Sequence, residues 1–340
     1  MIIYAFNNIL VKVLSKKIVF RCDSNNEIGL GHLVRCLAVA NKLKDNNIFF
    51  ATDKDVSNSY IKNDFKIFTK RSDEDENKFL FRIYNELNPD IIILDIKYTY
   101  KRHFLKRLKK NSLKILMLDN ICEGLIECDE IIFPNAHFNL DRLKNLLTPD
   151  RINQVRTGPN YIILRDEIID LKDKLSNEHE GIRIGVTTGG SDPEGVILKL
   201  ANLLREINIE QNIYLLYGDL YKFKNKLYSL DLPKNMYILP YSLECLKELD
   251  IIICTFGMTV YEMIYLELPI ITVSHNKHNT KCTKILESRY SPIENLGYYQ
   301  DITPNQLSQA LNRILNNNTS LKPFIDGAGT SRVANIILNI

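Results

Sequence analysis

The stretch KIVFRCDSNNEIGLGHLVRCLAVANKL, residues 17–43, decides how this chain of 340 residues begins to fold. A run of strand-forming residues ends at Asp23, and apolar residues then recur every three or four positions from residue 31 onward. This pattern predicts a strand followed by a helix. Gly29 and Gly31 occupy the turn, where glycine lets the backbone bend sharply and approach a ligand closely. The stretch therefore predicts a strand–turn–helix unit with a candidate ligand site at its turn.

The same alternation runs through the chain in two series, over residues 16–157 and 181–324, with a more polar linker at 158–180. Five apolar runs in each series read as buried strands of a parallel sheet. We expect an α/β protein with two doubly wound, Rossmann-like domains and a ligand cleft between them, at the carboxyl ends of the strands. Residues 1–15 read as an N-terminal extension, and residues 325–340 as a C-terminal helix that packs back on the N-terminal domain.

Composition excludes several classes of protein. The formal charge of +3 and the pI near 8.3 are too mild for binding to nucleic acid or to an anionic membrane. The seven cysteines are scattered without a C-x-x-C pair, which favours a reducing cytoplasm over a disulfide framework. The apolar opening MIIYAFNNILVKVL is too short to cross a bilayer. We therefore expect a cytoplasmic protein without stable membrane insertion.

The first glycine turn offers both an anion site and a base. The N-terminus of the following helix presents free N–H groups and a positive dipole end, which suit a diphosphate. His32 stands in the first helical turn and Arg35 three residues later, so both can project from one side. A neutral histidine there can accept a proton from water. A dinucleotide fingerprint would need glycine where Val34 stands, and a turn with a surface histidine is the structural alternative.

The second glycine-rich place, TTGGSDPEG, follows the first strand of the second series. Gly189 and Gly190 free the backbone, while Ser191 and Asp192 can cap the next helix with the proline at its first turn. An ordinary capped loop would explain Asp192 but not the glycine pair that precedes it.

The third place, CTFGMTVYE, opens another helix at Gly257. Glu262 falls about one turn inside that helix, where a carboxylate could accept both hydroxyls of a ribose. Alone, Glu262 also reads as a solvated helix residue. Three glycine turns, each after a strand in a two-domain α/β chain, together favour phosphate and sugar chemistry.

These residues resemble the signature of the UDP-sugar hydrolases of pseudaminic acid biosynthesis and of the related spore-coat polysaccharide proteins called SpsG. In those families the pattern R-x-D-x-S…I-G-x-G-H-x-x-R-C-L opens the N-terminal domain. LDN at 118–120, GPNYIILRDEI at 158–168, GGSDPEG at 189–195, FGMTVYEMIYLELPIITV and DGAGTSRV follow in order. The resemblance covers essentially everything after the first fifteen residues.

The resemblance implies a GT-B-like fold akin to the lipid II glycosyltransferase MurG, with the nucleotide held by the C-terminal domain. It implies hydrolysis of the anomeric C–O bond of a UDP-linked acetamido sugar without metal or other cofactor, in nonulosonic acid or surface polysaccharide synthesis. His32 would be the catalytic base. The implied substrate-binding residues are Asp23, Gly29, Gly31, Arg35, Asp95, Gly189, Gly190, Ser191, Asp192, Gly257, Met258, Thr259 and Glu262.

One stretch departs from the pseudaminic enzymes. They have an Asp-His-Tyr sequence where this chain reads LDIKYTY. Asp95 remains, Ile96 replaces the histidine, and Tyr98 is shifted by one residue. The stretch is more similar to the SpsG branch, so the identity of the sugar is more open than the reaction. Asp23, after the first strand, either orients the imidazole or binds a sugar amide.

Other readings compete with hydrolysis. A GT-B glycosyltransferase would use the same loops and pass the sugar to a lipid or glycan acceptor, and a silent binder would retain the nucleotide sugar without turnover. The acidic triplet at 73–75 reads as a solvated loop, since no apolar strand precedes it. His275 and His278 lack the further ligands of a zinc site. We therefore expect no metal.

Overall fold

The computed structural model describes residues 15–53, 57–61, 64–109, 112–175, 179–207, 209–289, 293–316 and 324–340. The predicted N-terminal extension lies outside these residues except for its last position. Within the described part, no helix is long and apolar enough to cross a membrane.

The N-terminal domain is built on a parallel sheet of seven strands in the order β3-β2-β1-β4-β5-β6-β7. Its strands are continuous apolar runs because helices cover both faces of the sheet. The strands are β1 Lys17–Cys22, β2 Asn47–Thr52, β3 Lys66–Thr69, β4 Ile91–Asp95, β5 Lys114–Leu118, β6 Glu130–Phe133 and β7 Arg156–Thr157. The helices are α1 Gly31–Asn41, α2 Ser57–Ile61, α3 Glu76–Leu87, α4 Arg102–Leu108 and α5 Pro149–Asn153.

The C-terminal domain repeats this plan with six parallel strands in the order β10-β9-β8-β11-β12-β13. Its strands are β8 Arg183–Thr187, β9 Asn212–Tyr217, β10 Met236–Pro240, β11 Ile251–Thr255, β12 Ile270–Ser274 and β13 Ile293–Tyr298. Between the sheets lies α6 Asp166–Leu171, and the later helices are α7 Val196–Glu206, α8 Lys224–Tyr228, α9 Leu243–Leu246, α10 Met258–Tyr265, α11 Lys277–Arg289, α12 Pro304–Asn316 and α13 Gly329–Leu338. The predicted pair of doubly wound domains is confirmed.

The structure adds three strands to the ten that the apolar runs predict. β3 has four residues and β7 has two, so neither is long enough to give a pattern, and asparagine and glycine interrupt the apolar character of β13. Sheet pairing completes these strands, because their hydrogen bonds come from neighbours distant in sequence.

The last helix, α13, returns to the N-terminal domain and packs beside α1. Val333, Ala334 and Ile337 belong to the same apolar cluster as Ile18 and Leu33. The cluster therefore joins the end of the chain to the first strand and helix.

A short junction fixes the start of α13. The Thr330 hydroxyl accepts a hydrogen bond from the N–H of Leu164 at 2.9 Å and donates to the carbonyl of Leu164 at 2.6 Å. A Cβ on Gly329 would lie 2.1 Å from the carbonyl oxygen of Ile162. Glycine is required here because the two backbones are in direct contact.

The loop after β6 makes a second junction between the domains. The Tyr261 hydroxyl accepts from the N–H of Ala136 at 3.3 Å and lies 2.8 Å from His137 Nδ1. Arg289 donates to the carbonyl of Ala136 at 2.7 Å. The contact between the Tyr261 hydroxyl and Nδ1 is compatible with a neutral His137 ring in either tautomer. Burial lowers the pKa of His137 to about 4, which agrees with a neutral ring.

We expect Thr330→Val to destabilise the protein by about 2 kcal/mol, because it leaves a buried N–H and a buried carbonyl of Leu164 without partners. Thr330→Ser keeps the hydroxyl and should cost clearly less. Denaturant unfolding of the three proteins measures the difference. A larger loss for serine than for valine would show that methyl packing, rather than the hydroxyl, matters.

We expect the His137–Tyr261 junction to weaken in acid. Because the pKa of His137 is about 4 in the folded protein and near 6.5 when unfolded, the unfolded chain binds more protons between these values. The free energy of unfolding should therefore fall as the pH drops through this window. The facing charges are Asp119, which raises this pKa, and His278, Arg142 and Arg289, which lower it.

Denaturant titrations from pH 7 to 4.5 test this expectation. His137→Gln keeps a hydrogen-bonding side chain that does not titrate, so the stability advantage of the wild type over this variant should shrink as the pH falls. His103→Gln is the matched control, since it removes an exposed histidine on α4 that is not among the charges acting on His137. A difference that stays constant with pH contradicts the assignment of His137.

Candidate active site

The turn between β1 and α1 is folded by one asparagine. Asn25 Oδ1 accepts hydrogen bonds from the N–H groups of Glu27 and Ile28 at 2.8 and 2.9 Å, and its carbonyl accepts from Gly29 at 2.9 Å. Gly29 has φ +77°, in the left-handed region that favours glycine. The turn lets α1 begin two residues later, with His32 in its first turn.

A buried carboxylate holds the imidazole of His32. Its Nδ1 lies 2.7 Å from Oδ1 of Asp95, which ends β4 and has no exposed surface. Burial would raise the pKa of Asp95, but Arg35 and His32 hold it well below its usual range. An ionised carboxylate only accepts hydrogen bonds, so Nδ1 carries the proton and Nε2 keeps its lone pair. No described residue forms a hydrogen bond with Nε2.

Arg35 reaches the same carboxylate from the next turn of α1. Its Nε donates to Asp95 Oδ2 at 2.7 Å, Nη2 donates to Oδ1, and Nη1 donates to Asp119 Oδ2 at 3.0 Å. Asp119 also accepts from Asn135 Nδ2 at 3.1 Å. Burial lowers the pKa of Arg35, but the two carboxylates outweigh it and raise the pKa above its usual range. Arg35 is therefore a fixed cation, with Nη2 3.0 Å from His32 Nδ1.

A thiol supplies the fourth donor to Asp95. Cys36 Sγ lies 3.2 Å from Oδ2. Burial, followed by the neighbouring Cys22, raises the pKa of this thiol well above its usual range, so the protonated form donates. Each oxygen of Asp95 then accepts two hydrogen bonds, which is the full capacity of a carboxylate. Asp95, expected among the substrate-binding residues, instead positions His32 and Arg35.

Asp23 does not orient the imidazole, and that part of its expected role is wrong. Arg21 donates to its two oxygens at 2.5 and 2.8 Å, and the N–H of Asp53 donates at 2.7 Å. The Asp23 side chain keeps about 20% exposure on the wall of a cavity. Its expected contact with a sugar therefore stays a prediction.

This cavity, of about 340 Å³, opens beside His32 in the N-terminal domain. Its floor is a buried pair in which Arg21 donates to Glu76 at 2.9 and 2.7 Å, while the Tyr100 hydroxyl donates to Glu76 at 2.7 Å. Asp53 and Lys70 pair at 2.6 Å on the wall. Such dense polar lining suits a hydroxylated or amide-bearing ligand.

Glycines of the two domains meet across the cleft. A Cβ on Gly190 would lie 2.9 Å from Leu30 Cδ1, and a Cβ on Gly29 would lie 3.4 Å from Ser191 Oγ. The sequence predicts that these glycines let the backbone approach a ligand. In the structure they also let the loops of the two domains approach each other.

The start of α7 forms the C-terminal side of the cleft. Asp192 accepts hydrogen bonds from the N–H groups of Val196 and Ile197 at 2.8 and 3.0 Å. The predicted cap is correct in kind, but the helix begins at Val196, so the proline expected in its first turn lies in the loop before it. A Cβ on Gly189 would meet no described atom within 4 Å, so its backbone borders open space.

Two buried hydroxyls flank this loop without a partner in the described part of the chain. They are Oγ1 of Thr187, at the end of β8, and the hydroxyl of Tyr221. Burial and the nearby Asp192 charge raise the pKa of Tyr221 above its usual range, so it is a donor. An anion at the α7 N-terminus would give such donors a partner.

Glu262 lies one turn inside α10, as predicted, but it is buried rather than solvated. Arg165 Nε donates to its Oε1 at 3.1 Å. Burial and the Glu262 charge together raise the pKa of Tyr241 above its usual range. A ribose bound by Glu262 would therefore share this carboxylate with Arg165.

The start of α10 faces the start of α1. Gly257 is extended with φ 174°, a backbone that any residue can adopt. Met258 Cγ lies 3.8 Å from the position of a Cβ on Gly31, and Thr259 is half-buried beside it. The second and third glycine-rich places thus each approach the turn between β1 and α1.

Residues of the acidic triplet at 73–75 make a helix cap and an ion pair within the N-terminal domain. Asp75 caps α3 by accepting from the N–H of Lys78 at 2.8 Å, and Glu74 pairs with Arg82 at 2.5 Å. Across the described ranges, no three His, Cys, Asp or Glu residues are grouped to hold a metal ion.

The two facing parallel-sheet domains define the glycosyltransferase B fold. MurG of Acinetobacter baumannii superposes with a TM-score of 0.64, covering 96% of this chain and 100% of that chain at 15% identity. Residues 184–340 match the profile of the glycosyltransferase family 28 C-terminal domain. The fold of the chain and the sequence of its C-terminal half are therefore both similar to those of glycosyltransferases.

Two relatives match over most of the chain. Spore coat polysaccharide biosynthesis protein SpsG of Bacillus subtilis is 22% identical over 334 residues, covering 94% of this chain and 96% of that protein. An uncharacterized protein of Methanocaldococcus jannaschii is 28% identical over 307 residues, covering 84% of this chain. The chain spans 62% of the length of that second relative.

The residues that sequence reasoning missed lie after strands, inside the first helix or at the start of α3. Asp119 directly follows β5 and accepts from Arg35, while Asn135 lies beyond β6 and donates to Asp119 at the carboxyl edge of the sheet. Cys36 reads as a core residue of α1, and Glu76 as an exposed residue in a charged run. Polar residues directly after buried strands were the signal for Asp119 and Asn135.

We expect Asp95→Asn to change the tautomer of His32, because an amide nitrogen beside Nδ1 donates where the carboxylate accepted. Nitrogen chemical shifts of the imidazole measure this directly, with His32→Ala to assign the signal. Asp23→Asn is the matched control, since Asp23 does not touch the ring. An unchanged tautomer in Asp95→Asn, or an equal change in Asp23→Asn, contradicts the assigned contact.

Proposed function

We propose that this protein hydrolyses the anomeric C–O bond of a UDP-linked acetamido sugar without a metal ion. The products would be UDP and a free sugar for nonulosonic acid or surface polysaccharide synthesis. The observation that carries the proposal is the His32–Asp95 pair beside the N-terminal cavity, with its proton on Nδ1 and a free lone pair on Nε2. Such a group takes a proton from water, whereas a protein that only binds a nucleotide sugar needs no base.

The comparisons support nucleotide-sugar chemistry in this cleft. The GT-B fold, the family 28 profile and the likeness to a spore-coat polysaccharide biosynthesis protein agree with it. In the proposed arrangement the sugar occupies the cavity beside His32, with Asp23 on its wall. The diphosphate lies at Gly189–Asp192 before α7, and the nucleoside lies near Met258–Glu262 on α10.

The proposed step needs only a base and a stabilised leaving group. Water attacks the anomeric carbon from the face opposite the diphosphate, and one water proton passes to Nε2 of His32. The C–O bond to the β-phosphate breaks, and its electron pair stays on the phosphate oxygen. A single displacement of this kind inverts the anomeric centre. The proton on His32 then returns to solvent.

The electrostatics of the pair suit this proton transfer. Arg35 carries one positive charge against the two negative charges of Asp95 and Asp119. Protonation of His32 therefore brings this group of four charges to neutrality, while the Asp95 hydrogen bond persists. A base of this kind contributes about 10²–10⁴-fold to the rate. The positive end of α7 would stabilise charge on the departing diphosphate.

A glycosyltransferase is the second candidate, and the family 28 profile and the likeness to MurG favour it. It would use the same base to deprotonate an acceptor hydroxyl in place of water. The cavity would then hold sugar and acceptor together. The two functions differ in whether nucleotide is released when no acceptor is present.

We expect the purified protein to release UDP from at least one UDP-linked acetamido sugar without an added acceptor. In ¹⁸O-water the label should enter the sugar at its anomeric carbon, and proton NMR should first show the inverted anomer. His32→Ala should lower kcat by about 10²–10⁴-fold. His103→Ala is the matched control, because His103 is exposed on α4.

The outcomes separate the two candidates. Release that begins only when a lipid or glycan acceptor is added replaces the hydrolase with the transferase. Binding of UDP-sugars without turnover under both conditions contradicts both and leaves a binding protein. Equal loss of activity in His32→Ala and His103→Ala contradicts the role of His32.

A further inference from the structure

Lys97 is the feature of the cavity that the proposed step does not yet use. It lies two residues after Asp95, beyond the end of β4, and its exposed side chain lines the cavity beside His32. No hydrogen bond or ion pair is found for its ammonium within the described part of the chain. The side chain is therefore a cation available to a ligand.

The other cations of the cavity are neutralised. Arg21 is paired with Asp23 and Glu76, and Lys70 is paired with Asp53 at 2.6 Å. Among the described lining residues, Lys97 is thus the cation without a counter-charge. An uncompensated cation in a polar cavity attracts an anion and contributes little to a neutral sugar ring.

The charge of Lys97 also reaches the C-terminal domain. His275 directly follows β12 in that domain. Burial lowers the pKa of His275, the charges of Asp192 and Glu194 raise it, and Lys97 lowers it. The charge of Lys97 and the charges of two residues that precede α7 therefore act on the same histidine.

We propose that Lys97 binds the diphosphate of the nucleotide sugar from the N-terminal domain, opposite the α7 N-terminus, and holds the charge that the leaving group gains. The inference rests on the proposed function and names a residue for its leaving-group side. When the C–O bond breaks, the electron pair stays on a β-phosphate oxygen, and the ammonium donates a hydrogen bond to that phosphate. A fixed cation there stabilises the transition state more than the bound substrate, because the charge develops as the bond breaks.

Lys97→Met tests the inference, because it keeps the length of the side chain and removes its charge. We expect kcat for UDP release to fall by about 100-fold. The affinity for UDP should weaken roughly tenfold, the worth of one charge-assisted hydrogen bond, while the affinity for uridine stays within twofold. Lys97→Arg should recover part of both losses. Lys106→Met on the exposed face of α4 is the matched control and should change neither.

The binding measurement keeps this inference separate from the proposed function. Calorimetry with UDP and uridine needs no turnover, so a loss of UDP affinity alone in Lys97→Met supports Lys97 even if no sugar is hydrolysed. Full turnover in Lys97→Met overturns the role of Lys97 and leaves the hydrolase intact. Equal weakening of UDP and uridine also overturns it. If the wild type binds no nucleoside diphosphate among UDP, dTDP, CDP and GDP, both proposals fail.

Discussion

The arrangement of the cleft depends on one buried carboxylate, that of Asp95. Its two oxygens accept from His32, twice from Arg35 and from Cys36, and none of its surface is exposed. An ionised group in such a place is stable only when every lone pair is used and a cation lies beside it. The same requirement fixes the imidazole, the guanidinium and the first turns of α1 in one geometry. Arg35 extends the group to Asp119 after β5.

A site of this kind is built at the edge of one domain but completed by the other. The loop before α1 is in contact with the loop before α7 through glycines whose missing side chains allow the approach. The junctions at Thr330 and His137 hold the two domains together near this contact. Backbone contacts and hydrogen bonds border the cleft, and apolar clusters join the chain segments on either side of it.

The GT-B fold does not by itself distinguish transfer from hydrolysis, since both begin with the same bound nucleotide sugar. The two reactions differ in whether the attacking group is water or a hydroxyl of an acceptor. In this chain His32, its positioning carboxylate and the cavity beside them belong to the N-terminal domain, while the loop before α7 belongs to the C-terminal domain. Ile96 and Lys97, which follow Asp95 in the sequence, line the same cavity.

The sequence by itself determined the two-domain α/β organisation and the place of His32 in the first turn of a helix, because strand periodicity and glycine turns are local properties of the backbone. It also located the cap at Asp192 and the turn before His32. Only the tertiary structure decided that Asp95, and not Asp23, orients His32, and that Asp119, Asn135 and Cys36 complete the group. Those contacts join residues up to 84 positions apart, and a carboxylate after a strand looks alike in sequence whichever neighbour it meets. The order of strands in the sheet selects the neighbour, and this order is fixed by pairing between distant segments.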